Sequence, residues 1–168
     1  ANFSSSSTCL GSSTDFNDLS TSINTIISWN WDFGDGNYDT VQSPTHLYSN
    51  CGNYNVTLTV TDIFGFSNTF FDTIKVYCNP IVAAAASVSF ICLGVPIDFY
   101  GNALQGANPS APILSYSWNM GGNGSYFAGT NNSSQNPSFI YDTSGIFTAN
   151  LTVTDTNGCQ SSNSVISN

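Results

Sequence analysis

Charged side chains are scarce in this sequence, and almost all of them are of one kind. The 168 residues include one lysine, no arginine, no glutamate, one histidine and ten aspartates, for a net charge of −9. Without clustered cations the chain cannot displace counterions from a nucleic acid, and an anionic membrane surface would repel it. No apolar run is long enough to cross a bilayer. We therefore predict neither nucleic-acid binding nor direct membrane insertion.

The residues that are abundant favour β-strands and an extracellular setting. Thr, Val, Ile, Phe and Tyr are frequent, whereas the long charged residues that favour helices are almost absent. Five cysteines in a chain rich in Ser, Thr and Asn are typical of a protein exposed to an oxidising environment. With no Arg or Glu, one His and one Lys, the chain also lacks much of the usual set of catalytic side chains. An enzyme is therefore the least favoured class of function.

Three sequence blocks recur in the same order in the two halves of the chain. The matching blocks are residues 7–16 with 89–99, 28–36 with 115–124, and 43–62 with 136–155. Blocks in the same order with unequal gaps between them indicate two homologous domains rather than a solenoid of short repeats. The strand pattern is interrupted at "CNPIVAAAAS". We place the boundary there, with one domain over residues 1–79 and the other over residues 80–168.

Within each copy, large apolar residues alternate with polar ones, which indicates strands with one buried face. In the last block the alternation gives one buried row per copy, and the second block gives another. The predicted buried rows are Tyr54, Val56, Leu58 and Val60; Phe147, Ala149, Leu151 and Val153; Ile27, Trp29, Trp31 and Phe33; and Leu114, Tyr116, Trp118 and Met120. About seven strands in some eighty residues predict a small antiparallel β-sandwich in each half. Trp31 and Trp118 should be buried at equivalent places.

The motif "WDFGDG", followed by "PTHLY", "GNY" and "VTLTVTD", closely resembles the PKD domain, an immunoglobulin-like sandwich. The resemblance covers both halves, although the second departs from it at "WNMGGNG". It implies an all-β fold of two tandem Ig-like, PKD-type sandwiches. The "CLG" near each start and the "NGC" at 157–159 resemble the cysteine-bearing version of the domain in adhesins and gliding filaments of Bacteroidetes.

The aspartates of "WDFGDG" have two competing interpretations. In the family the motif ends a strand and forms a tight turn, which the second copy keeps without its carboxylates. An active site that needs paired carboxylates would not survive that loss. The alternative is calcium, since Asp32, Asp35 and Asp39 with nearby carbonyls approach the oxygen set that calcium requires. Asp15 and Asp18 carry a similar, weaker calcium hypothesis, so no cofactor is predicted outright.

His46 suggests a catalytic triad only if its surroundings are ignored. The residue at its place in the second copy is Phe139. A position that accepts phenylalanine is typical of a packing or hydrogen-bonding role. We therefore predict that His46 is structural and that the chain has no catalytic residues.

Four of the five cysteines are predicted to form disulfides. Cys51 precedes the penultimate strand of the first copy and Cys78 ends the last, so folding the hairpin brings them opposite each other. Cys92 and Cys159 precede two strands of the second copy that lie at the same end of an Ig-like sandwich, which implies a second bridge. Zinc is the competing explanation, but it would require Cys and His clustered at short spacing.

Cys9 is left over by this scheme, because Phe66 stands where the first copy should carry its partner. We predict an unpaired thiol, buried against Phe66, since free cysteine is among the most buried residue types. The alternative is a disulfide to a neighbouring chain or domain.

Two short motifs bear on modification. "DTV" at 39–41 and "DTI" at 72–74 resemble the Asp-Thr-aliphatic pattern of O-glycosylation sites in Bacteroidetes surface proteins. The resemblance implies O-glycosylation at Thr40 and Thr73.

These observations favour a non-catalytic extracellular segment of a surface adhesin or filament, with neighbouring copies or domains of the same protein as partners. The alternative is an accessory carbohydrate- or protein-binding module of a secreted hydrolase, with a polysaccharide or protein surface as its partner. Exposed aromatic residues in a row would favour the second function. The candidates on loops and edges are Phe64, Phe66, Tyr100, Tyr126 and Phe127.

Overall fold

The computed structural model describes residues 1–88, 93–105 and 111–167. It divides into two compact units, one formed by Ala1–Cys78 and the other beginning at Asn79; we call them domain 1 and domain 2. Every regular element among the described residues is a strand. Across that part of the chain, no helix is long and apolar enough to cross a membrane. The predicted all-β fold of two tandem sandwiches is confirmed.

Domain 1 contains eight strands in two sheets. They are β1 (Phe3–Ser5), β2 (Thr8–Cys9), β3 (Thr14–Asp18), β4 (Ile26–Asp32), β5 (Tyr38–Asp39), β6 (Thr45–His46), β7 (Gly52–Asp62) and β8 (Ser67–Tyr77). One sheet has the order β1-β3-β6 and the other has the order β2-β8-β7-β4-β5. Neighbouring strands are antiparallel, except that β2 runs parallel to β8.

Domain 2 contains seven strands among its described residues, also in two sheets. They are β9 (Ile81–Ala86), β10 (Ile97–Leu104), β11 (Ile113–Asn119), β12 (Gly124–Phe127), β13 (Ser138–Tyr141), β14 (Phe147–Asp155) and β15 (Gln160–Ser167). The sheets have the orders β12-β13-β10-β9 and β11-β14-β15.

Each domain encloses its own apolar core around a tryptophan. Trp31 is 0% exposed and Trp118 is 3% exposed, as predicted. Each indole nitrogen donates to a backbone carbonyl, Trp31 to Val41 at 3.0 Å and Trp118 to Gln135 at 3.3 Å. The buried tryptophans therefore leave no donor unsatisfied, which removes the cost of burying a polar N–H.

The buried rows predicted from the second block are wrong at their first residue in both domains. Ile27 and Leu114 are 60% and 65% exposed. The pairing of β4 with β7 shifts register between Ile26 and Ser28, and that of β11 with β14 shifts between Ile113 and Ser115. A β-bulge inserts one residue into a strand and so moves the preceding side chains to the opposite face. The two domains carry this bulge at equivalent positions.

The domains differ in where the strand after the "WDFGDG" or "WNMGGNG" turn is paired. In domain 1 this strand is β5. It pairs with β4, the strand before the turn, and so belongs to the same sheet as β4. In domain 2 it is β12, which pairs with β13 in the opposite sheet. β12 therefore does not pair with β11, and at the end of β11 the Trp118 N–H donates instead to the Asn132 carbonyl.

Candidate functional site

The turn after the core tryptophan is an architectural feature of both domains. Gly34 and Gly121 have φ angles of +76° and +69°, which residues with a side chain rarely adopt. A Cβ at either glycine would also strike the backbone of the facing strand, at the carbonyl oxygen of Asn55 or of Thr148. The turn thus requires glycine for two independent reasons.

The three aspartates of the domain 1 turn each accept hydrogen bonds from backbone N–H groups one or two residues further along the chain. Asp32 Oδ1 accepts from the Gly34 N–H at 2.9 Å, and Asp35 Oδ1 accepts from the Asn37 N–H at 3.1 Å. Asp39 Oδ1 accepts from two successive backbone N–H groups, at 2.6 and 2.9 Å. These contacts are turn caps.

Domain 2 shows that the capping needs an oxygen but not a charge. Asn119, at the position of Asp32, accepts from the Gly121 N–H through its amide Oδ1 at 3.0 Å. Within the described ranges, no three His, Cys or acidic side chains form a group able to hold a metal. The structure therefore does not bring Asp32, Asp35 and Asp39 together as a calcium site.

Asp35 and His46 form a contact in domain 1 that domain 2 cannot make. His46 Nε2 lies 2.8 Å from Asp35 Oδ2, and the imidazole stacks on Phe33 with ring centres 4.1 Å apart. Partial burial would raise the pKa of Asp35, but hydrogen bonds from His46 and Asn37 outweigh that effect and lower its pKa. His46 thus packs and pairs within the turn region, as predicted.

Asp15 and Asp18 are separated by the alternation of β3. Asp15 is exposed, whereas Asp18 is partly buried and accepts hydrogen bonds from Ser20, Trp29 and Gln42. Burial opposes ionisation of Asp18, but these bonds together lower its pKa. Its carboxylate ties β3 to Trp29 of β4 and to the loop residues Ser20 and Gln42, which is a structural role.

In each domain a tyrosine hydroxyl donates a hydrogen bond to the backbone of the turn. The Tyr48 hydroxyl donates to the Phe33 carbonyl at 3.2 Å, and the Tyr141 hydroxyl donates to the Met120 carbonyl at 2.7 Å. Burial raises the pKa of both phenols, that of Tyr141 to about 12. Both hydroxyls therefore remain protonated donors, which suits a permanent structural bond.

The predicted Cys51–Cys78 disulfide is present, with 5.0 Å between the two Cα atoms. It joins the start of β7 to the residue that follows β8. Cys159 is buried and also disulfide-bonded. Its predicted partner, Cys92, lies outside the described residues.

The prediction that Cys9 is an unpaired thiol is wrong, because Cys9 is disulfide-bonded. Cys9 is half-buried and Phe66 is 74% exposed, so neither fits a buried thiol packed against that ring. β2 pairs with the end of β8, with Cys9 opposite Tyr77, and this places it beside the strand end that carries Cys78. A two-residue parallel strand leaves no periodic signal, so the sequence did not reveal this pairing.

The two predicted O-glycosylation residues are both accessible. Thr40 is exposed beside the β5 strand, and Thr73 is exposed in β8. The Thr73 hydroxyl donates to Asn55 Oδ1 at 2.9 Å across the strand pair. Glycosylation at either residue stays a prediction.

Domain 2 has an open dish of about 610 Å³ in the gap between β11 and β12. Its polar side chains are exposed and form the rim, whereas Trp118, Met120 and Phe139 are buried beneath them. The lining residues are Trp118, Asn119, Met120, Gly122, Asn123, Gly124, Tyr126, Asn132, Phe139 and Asp142. Of the exposed-aromatic candidates only Tyr126 lines this dish. The remaining four are exposed elsewhere, each between 41% and 74%.

The sequence analysis missed this dish, although one signal pointed to it. The segment between the turn and the proline of the last block is longer in domain 2 than in domain 1, as "GSYFAGTNNSSQN" against "NYDTVQS". That extra length lets β12 reach β13, and the loop returns so that the Asn132 carbonyl accepts from the Trp118 N–H at 2.8 Å.

Comparison with known proteins gives the same family for both halves. The family model described as "PKD domain" matches residues 3–76 and 77–167. Among curated proteins, the Pre-pro-metalloprotease PrtV of Vibrio cholerae is 46% identical over 78 residues, which are 46% of this chain and 8% of that protein. A microbial collagenase of Vibrio alginolyticus is 45% identical over 51 residues, which are 30% of this chain and 6% of that protein.

Among solved structures, the PKD1 domain of the Vibrio cholerae metalloprotease PrtV is 42% identical and has a TM-score of 0.42. The match covers 45% of this chain and 91% of that domain. The matched segments thus span less than a tenth of the length of the two curated relatives.

Proposed function

The chain belongs to the PKD domain family, and we propose that it is a non-catalytic extracellular segment of a longer protein with a structural and adhesive role. The observation that carries the proposal is the use of the motif's polar groups. Asp32, Asp35 and Asp39 cap their own turn, and Asn119 replaces Asp32 in the same bond. A reaction centre would require these groups to face a substrate.

The disulfides and the repetition of the domain support the structural part of the proposal. Domain 1 is tied by Cys51–Cys78, and domain 2 has Cys159 in a disulfide. Disulfides persist in proteins outside the cytosol of most organisms. In this role the segment would act as a spacer in a surface adhesin or filament, in contact with neighbouring copies or domains.

The relatives favour a second function within the same non-catalytic class. The matches to a metalloprotease and to a collagenase fit an accessory domain that holds a hydrolase to its substrate surface. In that case the partner of this chain would be a polysaccharide or protein fibre instead of a neighbouring copy.

The proposal that the chain is non-catalytic is tested with the double variant Asp32→Asn/Asp35→Asn. We expect no turnover of peptide, ester or glycan substrates by either protein, and a modest loss of stability in the variant because charged caps are replaced by neutral ones. Asp15→Asn, in an exposed carboxylate of the same domain, is the matched control. Turnover by the wild type that disappears in the double variant and persists in Asp15→Asn would refute the proposal.

Sedimentation experiments distinguish a segment that associates with itself from one that binds insoluble fibres. A filament or adhesin segment should associate with itself at high protein concentration, measured by sedimentation velocity. An accessory module should remain monomeric and co-sediment with insoluble collagen, cellulose or chitin. Self-association without fibre binding would exclude the accessory function.

A further inference from the structure

The dish of domain 2 results from the change of sheet by one strand. β12 pairs with β13 instead of β11, and Trp118, Met120 and Phe139 lie beneath the dish, where they are only 3%, 4% and 5% exposed. Its volume of about 610 Å³ is within the range of small-ligand sites. The accessible part of the dish is mainly polar, and polar groups are what fix the orientation and specificity of a ligand in such sites.

Backbone contacts hold the polar rim in place. The Asp142 N–H donates to the Asn123 carbonyl at 3.1 Å, which keeps these two residues side by side. The Asn132 carbonyl is bound to the Trp118 N–H. Asn119 Oδ1 is occupied by the Gly121 N–H, so its amide NH₂ is the group left to donate to a ligand.

The chemistry of the rim selects a neutral ligand rich in hydroxyl groups. Three amides supply donors and acceptors together, and Asp142 supplies a charged acceptor. Two vicinal hydroxyls of a sugar can both donate to such a carboxylate, while the amides satisfy the remaining groups. The lining contains no cation, so an anionic ligand would meet only the repulsion of Asp142.

Tyr126 supplies the aromatic wall of the dish, because its ring is partly exposed whereas Phe139 is buried. The rings of Tyr126 and Phe139 meet edge to face with centres 5.0 Å apart, which holds the Tyr126 ring in place. This ring combines an apolar surface with a hydroxyl at its edge. The C–H face of a pyranose ring can pack on the Tyr126 ring while its hydroxyls reach the rim.

Domain 1 lacks the site at the equivalent positions. Gly36 stands in place of Asn123 and Ser49 in place of Asp142. His46, in place of Phe139, is bound to Asp35, and β5 remains beside β4. The repeated fold therefore does not produce the dish by itself.

We propose that the dish of domain 2 is a binding site for a neutral saccharide, with Asn123, Asn132, Asp142 and Tyr126 as the contacting residues. This inference rests on the accessory form of the proposed function and adds the chemical class of the ligand and the surface that binds it.

The test is a titration of the isotopically labelled full chain with neutral hexasaccharides, followed by NMR. The probes are cellohexaose, xylohexaose, mannohexaose and maltohexaose, with hexagalacturonate as the anionic comparison. At least one neutral probe should shift the signals of the dish residues at millimolar concentration, with domain 1 signals unchanged. Hexagalacturonate should bind at least tenfold more weakly.

Variants then locate the binding. Asn123→Ala/Asp142→Ser should weaken it about tenfold or more, as expected for two lost hydrogen bonds. Asn157→Ala, an exposed asparagine in the β14–β15 turn, is the matched control and should bind as the wild type does. Because Asn123 and Asp142 are exposed, their replacement should leave the spectrum of the domain 2 core intact. Tyr126→Phe is a second variant, which removes the hydroxyl and keeps the aromatic ring.

Three results would overturn the inference: no neutral probe shifts the dish, binding persists in the double variant, or the anionic probe binds equally well. Product analysis of the same samples separates this from the proposed function. Uncut hexasaccharide without binding refutes only the saccharide site, whereas shortened hexasaccharide refutes the non-catalytic role.

Discussion

Domain 1 and domain 2 share their core and turn but differ at the surface above it. Both bury a tryptophan under a positive-φ glycine, and both hold the turn with a tyrosine hydroxyl. Above that turn, domain 1 has the Asp35–His46 pair and domain 2 has an open dish. The turn itself is therefore fixed by backbone geometry, whereas the residues next to it differ between the domains and can take on separate roles.

The greatest loss of stability should follow from removing the Cys51–Cys78 disulfide of domain 1. Cys51 aligns with Ser144, so domain 2 lacks this bridge. Cys51→Ala/Cys78→Ala should lower the free energy of unfolding of domain 1 by roughly 3–4 kcal/mol, since the bridge closes a long loop. Hydrogen exchange measured by mass spectrometry in urea reports each domain separately. An equal loss in peptides of domain 2 would show that the domains unfold as one unit.

The next largest loss of stability should come from replacing the turn glycine that both domains share. Gly34→Ala and Gly121→Ala should each destabilise their own domain by about 2–3 kcal/mol, from the strained φ and the clash with the facing strand. Gly36→Ala is the control, because its φ is +92° but a Cβ there meets nothing within 4 Å. It should cost about 1 kcal/mol. If Gly121→Ala were tolerated, the two turns would not be equivalent. Chemical denaturation with the same domain-resolved readout measures all three.

A smaller effect should come from the tyrosine hydroxyls. Tyr48→Phe and Tyr141→Phe should each cost about 1–1.5 kcal/mol, because each leaves a buried carbonyl without its donor. Tyr54→Phe serves as the control, since its hydroxyl donates to the Asn50 carbonyl at an exposed site. A control loss as large as that of Tyr48 would assign the effect to the phenol in general and not to the turn.

The smallest effect on stability concerns pH and is tested at Asp35, whose place domain 2 fills with Gly122. The pKa of Asp35 is lowered in the folded state from an ordinary value of 3.8. Its contribution to stability is therefore complete above about pH 4 and is lost as the pH falls through the lower folded pKa. Asp35→Asn should flatten this acid dependence by less than about 1 kcal/mol. Unfolding of wild type and variant between pH 2 and pH 6 measures it, and an unchanged slope would contradict the assignment.

The strands and their core were predictable because the alternation of side chains directly reports a half-buried sheet. Trp31 and Trp118 and the Cys51–Cys78 bridge follow from that pattern and the hairpin it implies. Ile27 and Leu114 were placed on the wrong face, since a bulge changes the parity of a strand without changing its composition. The choice of partner by β12 depends on which sheet edge its loop can reach, so a local pattern could not reveal the dish.

The pairing of β2 with β8 has a mechanical consequence. β2 lies near the start of domain 1 and β8 near its end, and the two run parallel. Tension between the ends of the domain would load their hydrogen bonds in shear, so that the bonds must fail together rather than one after another. The Cys51–Cys78 disulfide would then prevent the chain between these two cysteines from extending. Under force, domain 1 should yield abruptly and lengthen by less than its full chain length, because the segment closed by the disulfide, with a sequence separation of 27, stays folded back on itself.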